Sequence, residues 1–272
     1  MVGHVEWIEF ARARHARHPG EIVHATEWWQ DAGGGGAVAA VQLAKLAGGA
    51  EFFTALAGDE KGRRSRERLE ELGVTVYAAP RAGAHRRGFV HLDAGHERTI
   101  TILGERIVPH GDDDLPWERL EEVDGVYFTG GDVGALVQAR RARRLVATPR
   151  AFDTLRASDV NLDALVRSAK DPGEQHAEDE LDPAPDIVVS TAGKEGGEWM
   201  GEDRTTGRWQ AAQLPGPPQD SYGAGDSFAA GLTYGLAAGM AIERALGVAS
   251  RCGAHKLAGR GAYEGQLTAA DL

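Results

Sequence analysis

Apolar and polar residues follow one another along the chain in blocks that suit strands and helices in turn. Residues 37–47 carry a helical apolar stripe of valines and leucines, and residues 61–72 form a charged amphipathic segment that ends at Gly73. Further helices are predicted at 133–143, 224–238 and 241–257, and strands at 2–8, 51–56, 74–77, 123–128, 144–148 and 186–190. This alternation predicts an α/β fold with three α/β/α layers, in which helices cover both faces of a largely parallel central sheet.

Two segments do not fit this alternation, residues 21–29 and 88–103. The second alternates on either side of a polar turn at 93–96, which is typical of a β-hairpin. We therefore expect a small separate sheet, with strands drawn from about residues 13–30 and 85–104, that forms a lid on a single domain spanning residues 1–272. Short strands with apolar faces need a packing partner, so the lid is also the expected surface of a homodimer.

The balance of charge narrows the range of partners. The 272 residues include 30 lysines and arginines against 41 aspartates and glutamates, a formal net charge of -11 at pH 7. A surface that negative repels phosphate backbones, so nucleic acids and anionic membranes are not expected partners. The single cysteine, Cys252, excludes an internal disulfide framework, and no apolar run is long enough to span a bilayer. We expect a globular cytoplasmic protein.

The most informative stretch is 220–231, Asp-Ser-Tyr-Gly-Ala-Gly-Asp-Ser-Phe-Ala-Ala-Gly. The turn at 223–225 opens a predicted helix, and the first amides of a helix lack intrahelical partners and attract anionic oxygens. The carboxylate of Asp226 would face whatever those amides hold, and the helix N-terminus favours its ionised form. Amides beside a carboxylate suit phosphoryl transfer to an alcohol, since the amides stabilise the migrating group and the carboxylate accepts the hydroxyl proton. The alternative is that Asp220 and Asp226 only form turns and caps.

Five landmarks in this order resemble the ribokinase-like (PfkB) carbohydrate kinase family over nearly the whole chain. Residues 220–231 match its C-terminal signature, with Ser221 in the place of threonine. Gly33-Gly34 followed by 43–46 looks like its N-terminal glycine signature, and 191–196 looks like its nucleotide-binding turn. Residues 57–62 with 72–74, and the hairpin at 95–99, have the family's order and spacing.

The resemblance implies a ribokinase-like fold, ATP as the phosphoryl donor and Mg²⁺ as its companion ion. It makes Asp226 the catalytic base and the amides of Gly223, Ala224 and Gly225 the anion hole. The residues that it places at the nucleotide are Ser168, Thr191, Ala192, Gly193, Gly196 and Asp220. Ser168 and Asp171 stand where the family often has Asn-x-x-Glu, so Asp171 and Glu174 are the expected magnesium residues, with the ion held mainly by phosphates and water.

The acceptor side resembles the family less closely. The residues expected there are Glu6, Gly33, Gly34, Val38 and Asp226. Val38 stands where the family has an asparagine that binds a sugar hydroxyl, and Ile8 where it usually has an aspartate. A valine can neither donate nor accept a hydrogen bond, so a site for a ribose-like ring would lose specificity here. The resemblance therefore implies phosphorylation of a sugar or sugar-like molecule whose identity stays open.

Two other functions explain the altered acceptor residues as well. A nucleoside kinase on the same fold would use Trp28 and Trp29 to stack on a base, although these rings could equally fill an interface. A non-catalytic sugar- or nucleotide-binding protein is the other alternative, and the retention of Asp226 argues against it. Gly130-Gly131 follows a predicted strand and is either a substrate contact or a plain turn. A dinucleotide-binding oxidoreductase is disfavoured, because residues 33–36 lack the G-x-G-x-x-G spacing.

Overall fold

The computed structural model describes residues 1–15, 18–95, 98–175 and 180–272. Its strands are β1 (Glu6–Arg12), β2 (Glu27–Gly33), β3 (Ala50–Ala57), β4 (Val74–Arg81), β5 (Arg87–Leu92), β6 (Arg98–Leu103), β7 (Val126–Phe128), β8 (Leu145–Ala147), β9 (Ala164–Ser168), β10 (Ile187–Thr191), β11 (Gly197–Gly201) and β12 (Thr206–Trp209). Its α-helices are α1 (Gly35–Ala47), α2 (Glu60–Glu71), α3 (Val133–Ala139), α4 (Phe152–Arg156), α5 (Ala224–Ala237) and α6 (Ile242–Leu257). None of the helices in these ranges is long and apolar enough to cross a membrane.

The central sheet is mostly parallel, as the sequence predicts. β3 pairs with β4, and β7, β8, β9 and β10 pair in that order, all of them parallel. Val2 joins the two groups, because it forms parallel bridges to Phe53 in β3 and Phe128 in β7. The antiparallel strands β11 and β12 complete the edge beyond β10. The predicted α/β fold class is confirmed.

Helices cover both faces of this sheet, and alternate residues of its strands supply two separate cores. Phe52 belongs to the core that α1, α5 and α6 share, whereas the next residue, Phe53, belongs to the core against α3 and α4. Tyr127 and Phe128 divide in the same way. Neighbouring side chains of a strand point to opposite faces, so this division is what a sheet buried on both sides requires.

A second, four-stranded sheet has the order β2-β1-β5-β6, and we call it the small sheet. The predicted hairpin is present as β5 and β6, although His96 and Glu97 of its turn lie outside the described residues. The other two strands differ from the prediction. Residues 18–26 form no strand, whereas the strand predicted at 2–8 in the main body lies instead at Glu6–Arg12 and pairs with β2 and β5. The chain leaves the central sheet after Val2 and continues into the small sheet, where Trp7, Ile8 and Phe10 are all buried.

Candidate active site

The turn before α5 presents free amides. Gly223 has the left-handed φ of 76°, and a Cβ added there would lie 2.8 Å from Cγ1 of Val38, so glycine is required on both counts. Among the described residues, the amides of Gly223, Gly225 and Asp226 donate to no carbonyl, and that of Ala224 makes only a long contact of 3.5 Å to the Ser221 carbonyl. A Cβ added at Gly225 would meet nothing within 4 Å, so that side of the turn is open. We call residues 221–226 the catalytic turn.

Asp226 lies against the first turn of α1. A Cβ added to Gly35 would come within 2.6 Å of its Oδ1, so the carboxylate occupies space that only a glycine leaves free. Burial raises the pKa of Asp226 to about 6, with Glu174 acting in the same direction and Arg98 opposing it. This direction is opposite to the one expected from the helix N-terminus, so the carboxylate is a stronger base than that position alone would make it, while it is still mostly ionised at pH 7.

Tyr222 joins the catalytic turn to the glycines between β2 and α1. Its hydroxyl accepts a hydrogen bond of 2.7 Å from the amide of Gly34, whose φ is 85°. A Cβ on Gly33 would collide with the same hydroxyl, at 2.7 Å. The expected acceptor residues Gly33 and Gly34 therefore lie beside the catalytic turn, held by a tyrosine whose role the sequence did not reveal.

The apolar residues at the acceptor side face protein. Val38 is fully buried and packs on Gly223, and Ile8 is fully buried between Gly33 and Gly88. Glu6 is buried too, but its Oε1 lies 2.9 Å from Nε of Arg86. Burial raises the pKa of Glu6, and the charge of Arg86 opposes that rise. Of the expected acceptor residues, Glu6 thus keeps a polar group at the site, whereas Val38 shapes the turn.

Arginines that the sequence did not single out surround Glu6. Desolvation by the surrounding chain and the charge of Arg86 lower the pKa of Arg106, and Arg150 acts in the same direction. Arg106 makes no ion pair within the described part of the chain, although its Nη1 donates to the Arg150 carbonyl at 3.1 Å. Burial lowers the pKa of His4 to about 3, so its ring is neutral. Its Nδ1 has no hydrogen-bond partner among the described residues.

A cavity of about 440 Å³ lies near these groups, at the carboxyl ends of β7 and β8. Arg106, Arg150 and the Gly130-Gly131 pair line it. A Cβ on Gly130 would lie 3.8 Å from Nδ1 of His4 and 3.9 Å from Cδ of Arg106, so both side chains reach the same wall. Ligands of open α/β sheets bind at this end of the strands. Asp153 lines the cavity as well, and Arg150 is paired with Glu174, so Arg106 is the lining arginine without a carboxylate partner among the described residues.

The expected nucleotide residues divide into two groups. Thr191 ends β10, and Ala192 and Gly193 follow it in a turn where Gly193 has a φ of 65° and a Cβ would meet nothing within 4 Å, so the turn leaves room for a ligand. Asp220 has no exposed surface, and its two oxygens accept hydrogen bonds from the amides of Tyr222 at 2.8 Å and Gly261 at 2.6 Å. Asp220 therefore does not contact a nucleotide, contrary to the expectation; it holds the catalytic turn from behind.

The expected magnesium residues are engaged by protein groups. Glu174 accepts hydrogen bonds from Arg150 Nε at 2.8 Å and from the Ser168 amide at 2.8 Å. Asp171 pairs with Arg150 through one oxygen and accepts from the Gly173 amide at 2.9 Å through the other. All four carboxylate oxygens have partners, so these residues do not fit as direct ligands of Mg²⁺ in this arrangement. Ser168 likewise contributes its amide to this network.

Comparisons with known proteins agree with this geometry. The family model of the pfkB family carbohydrate kinases matches residues 1–162 and 144–269. The chain is 26% identical to an ATP-dependent ribose-1-phosphate kinase of Halopiger xanaduensis, over 93% of this chain and 89% of that protein. Ribokinase of Thermotoga maritima superposes with a TM-score of 0.79 at 20% identity, covering 99% of this chain and 96% of that one. Adenosine kinase of Sinorhizobium meliloti superposes with a TM-score of 0.77 at 16% identity and the same coverage.

Proposed function

The chain belongs to the pfkB family of carbohydrate kinases, and from that premise we propose that it transfers the γ-phosphoryl group of ATP to a hydroxyl of a sugar that already carries a phosphate group. The kinase activity follows from the family. The phosphate on the acceptor is our inference from Arg106, which lies at the cavity without a carboxylate partner in the described part of the chain. In a chain with a net charge of -11, an arginine without a carboxylate partner beside a cavity calls for an anionic ligand.

In the proposed reaction the acceptor hydroxyl oxygen bonds to the γ-phosphorus as the bond from that phosphorus to the bridging oxygen of ADP breaks. Asp226 orients the hydroxyl and takes its proton. The free amides of Gly223, Gly225 and Asp226 stabilise the charge on the migrating group, as preorganised donors do in a water-poor site. The pKa of about 6 suits this role, since the carboxylate is ionised at neutral pH and still basic.

The acceptor phosphate is assigned to the cavity. Guanidinium groups bind phosphate oxygens in a planar, two-pronged geometry. Arg86 and Arg150 already pair with carboxylates, so a phosphate in the cavity would supply the anionic partner that Arg106 lacks among the described residues. The name of the Halopiger xanaduensis relative gives it an acceptor of this same class, which supports the proposal.

The small sheet is proposed to act as a lid. Glu6 begins β1, Arg86 precedes β5, and Arg98 of β6 donates through Nη1 to the Ser221 carbonyl at 2.7 Å. The sheet thus supplies charged groups to the acceptor site and makes a direct bond to the catalytic turn. A cover of this kind excludes water, which strengthens the electrostatic contacts beneath it.

The two alternative functions, a nucleoside kinase and a non-catalytic binding protein, gain no support from the site. Trp29 is stacked on Phe10, with ring centroids 4.9 Å apart, and the guanidinium of Arg260 lies 3.8 Å from its ring centre. Its faces are therefore engaged by protein and are not free for a nucleobase. Trp28 is 69% exposed on the small sheet. A non-catalytic binder would have no use for the carboxylate of Asp226.

Paired acceptors test the proposal, because each sugar serves as the control for its own phosphate. We expect kcat/KM for ribose 1-phosphate to exceed that for ribose by about 10- to 100-fold, the value of one charge-assisted contact. Arg106→Gln should remove most of that difference and leave the rate with the free sugar unchanged. Arg87→Gln is the matched control, since Arg87 lies on the same sheet and faces Glu9 at 3.9 Å. Equal kcat/KM values for the two sugars in the wild type would refute the phosphate assignment.

A further inference from the structure

A lysine is buried directly behind the catalytic turn. Lys256, in the last turn of α6, has no exposed surface, and its Nζ lies 4.0 Å from Oδ1 of Asp220, which is equally enclosed. The same Nζ donates to the carbonyl of Gly259 at 3.3 Å. Lysine is rarely enclosed so fully, because removing its charge from water is costly unless a partner compensates. The proposed reaction does not use this ammonium group directly.

Asp220 connects the ammonium group to the reacting groups. One of its oxygens accepts from the amide of Tyr222 and the other from the amide of Gly261. Tyr222 immediately precedes the amides assigned to the migrating phosphoryl group, and its hydroxyl also holds Gly34. The carboxylate of Asp220 therefore fixes the catalytic turn from behind and, through Tyr222, the glycines on the acceptor side.

A buried carboxylate behind the catalytic turn requires a cation beside it. Without one, Asp220 would be an enclosed negative charge behind donors that must bind anions, and it would either take up a proton or draw the turn towards itself. Burial lowers the pKa of Lys256, while Asp220 and Glu264 oppose that shift. Arg98 and Lys45 are the other charged groups that act on it. The negative charge of Asp220 is thus balanced within the protein, by the ammonium group of Lys256.

We infer that Lys256 is a positioning residue whose ammonium group is a built-in counter-cation for the catalytic turn, so that phosphoryl transfer needs no monovalent cation from solution at this place. The inference rests on the proposed function, since it concerns the amides that are to hold the phosphoryl group. Asp220 and Lys256 act together in this assignment, because the pair keeps the amides of Gly223 and Gly225 aimed at the open side of the turn.

The test compares cations in solution. We expect the wild-type kcat to be the same in potassium, ammonium and tetramethylammonium salts of equal ionic strength. Lys256→Ala should lose about 100-fold in kcat in tetramethylammonium, the scale of a lost oxyanion donor, and regain most of it in potassium or ammonium. These ions fit the vacated space beside Asp220, whereas tetramethylammonium does not. Lys256→Met keeps the volume filled and should stay inactive in every salt.

Lys45→Ala is the matched control, because Lys45 donates to the carbonyl of Tyr263 at 2.8 Å in the same region and does not contact Asp220. It should behave as wild type in all three salts. Asp226→Asn, assayed alongside, separates the two proposals: if it alone stays active, the assignment of the base fails, whatever the salts show. Crystals of Lys256→Ala soaked in a thallous salt should show anomalous density between Asp220 and the Gly259 carbonyl, and wild-type crystals should not.

Two results would overturn the inference. One is a wild-type enzyme that potassium activates severalfold over tetramethylammonium, a measurement that needs no variant to fold. The other is a folded Lys256→Ala protein whose kcat is the same in all three salts, either at the wild-type value or lost. The last outcome would mean that Lys256 contributes packing and not charge.

Discussion

The pH dependence of kcat/KM should show directly whether Asp226 is the catalytic base. With a pKa of about 6, Asp226 is about nine-tenths ionised near pH 7 and about one-tenth ionised near pH 5. The base must be ionised to accept the hydroxyl proton, so kcat/KM for the acceptor should fall about tenfold over this range. An aspartate with its ordinary pKa of 3.8 would still be more than about nine-tenths ionised near pH 5 and would lose almost nothing.

The assay must separate Asp226 from the phosphates of ATP and of the acceptor, which titrate near the same pH. Asp226→Asn supplies that separation. Its rate should be lower by about 10²- to 10⁴-fold, the value of a positioned base, and its remaining pH dependence should report the substrates alone. Dividing the wild-type profile by that of the variant isolates Asp226. Calorimetric affinity for ATP should be unchanged, because the carboxylate acts on the acceptor.

Two results would refute this reasoning. A ratio of the two profiles that stays flat between pH 5 and pH 7 would mean that the carboxylate has an ordinary pKa or takes no part in the reaction. A variant that turns over within about threefold of the wild type would mean that Asp226 only caps α5, since a cap contributes stability and not rate.

Three further predictions concern stability, specificity and assembly. Because burial raises the pKa of Asp226 from 3.8 to about 6, its contribution to stability is present below about pH 3.8 and is lost as the pH rises from there through about 6. Asp226→Asn should therefore melt at a higher temperature than wild type at pH 8, and the difference should shrink below pH 6 and nearly vanish near pH 3.8; a calorimetric difference independent of pH would contradict this. Ribose should be a poor acceptor, because Val38 and Ile8 are fully buried against protein and leave the site without the two polar groups that the family resemblance places there, and each missing hydrogen bond costs about 1–3 kcal/mol; ribose at the top of an acceptor screen would show that other groups supply those contacts. We also expect the protein to sediment as a dimer formed through the small sheet, where Trp28 is 69% and Ile102 39% exposed, and Ile102→Asp should convert it to a monomer. A wild-type protein that is monomeric at every concentration would refute the dimer prediction without bearing on the lid.

The parts of the site that lie close together in the sequence were predictable. The catalytic turn and α5 follow from the twelve-residue stretch at 220–231, since glycines before an apolar run indicate a turn that opens a helix. Residues 220–231 do not indicate the direction in which each of their two carboxylates faces. Asp220 and Asp226 flank the same turn, yet one is enclosed against Gly261 and the other lies against Gly35, and only the packing of α1 and the C-terminal segment decides this.

The arginines around the acceptor site were beyond reach of the sequence. Arg86 precedes β5, Arg106 follows β6 and Arg150 follows β8, and each has the local context of an ordinary surface arginine. They converge because β1 leaves the central sheet and pairs with β5, a connection that residues 2–8 do not reveal. The short strand β9 was missed for a related reason, since five residues with two polar ones show no clear period without their neighbours.

The path of β1 has a mechanical consequence. In the described part of the chain, the backbone passes between the body and the small sheet at 2–6, 33–35, 81–87 and 103–106. Each passage carries a residue assigned to the acceptor: Glu6, Gly34, Arg86 and Arg106 in turn. An acceptor bound as proposed would contact all four connections and restrain movement of the small sheet relative to the body. We therefore expect a molecule too short to reach all four connections to bind without this restraint, so that substrate choice and the rigidity of the connections depend on the same residues.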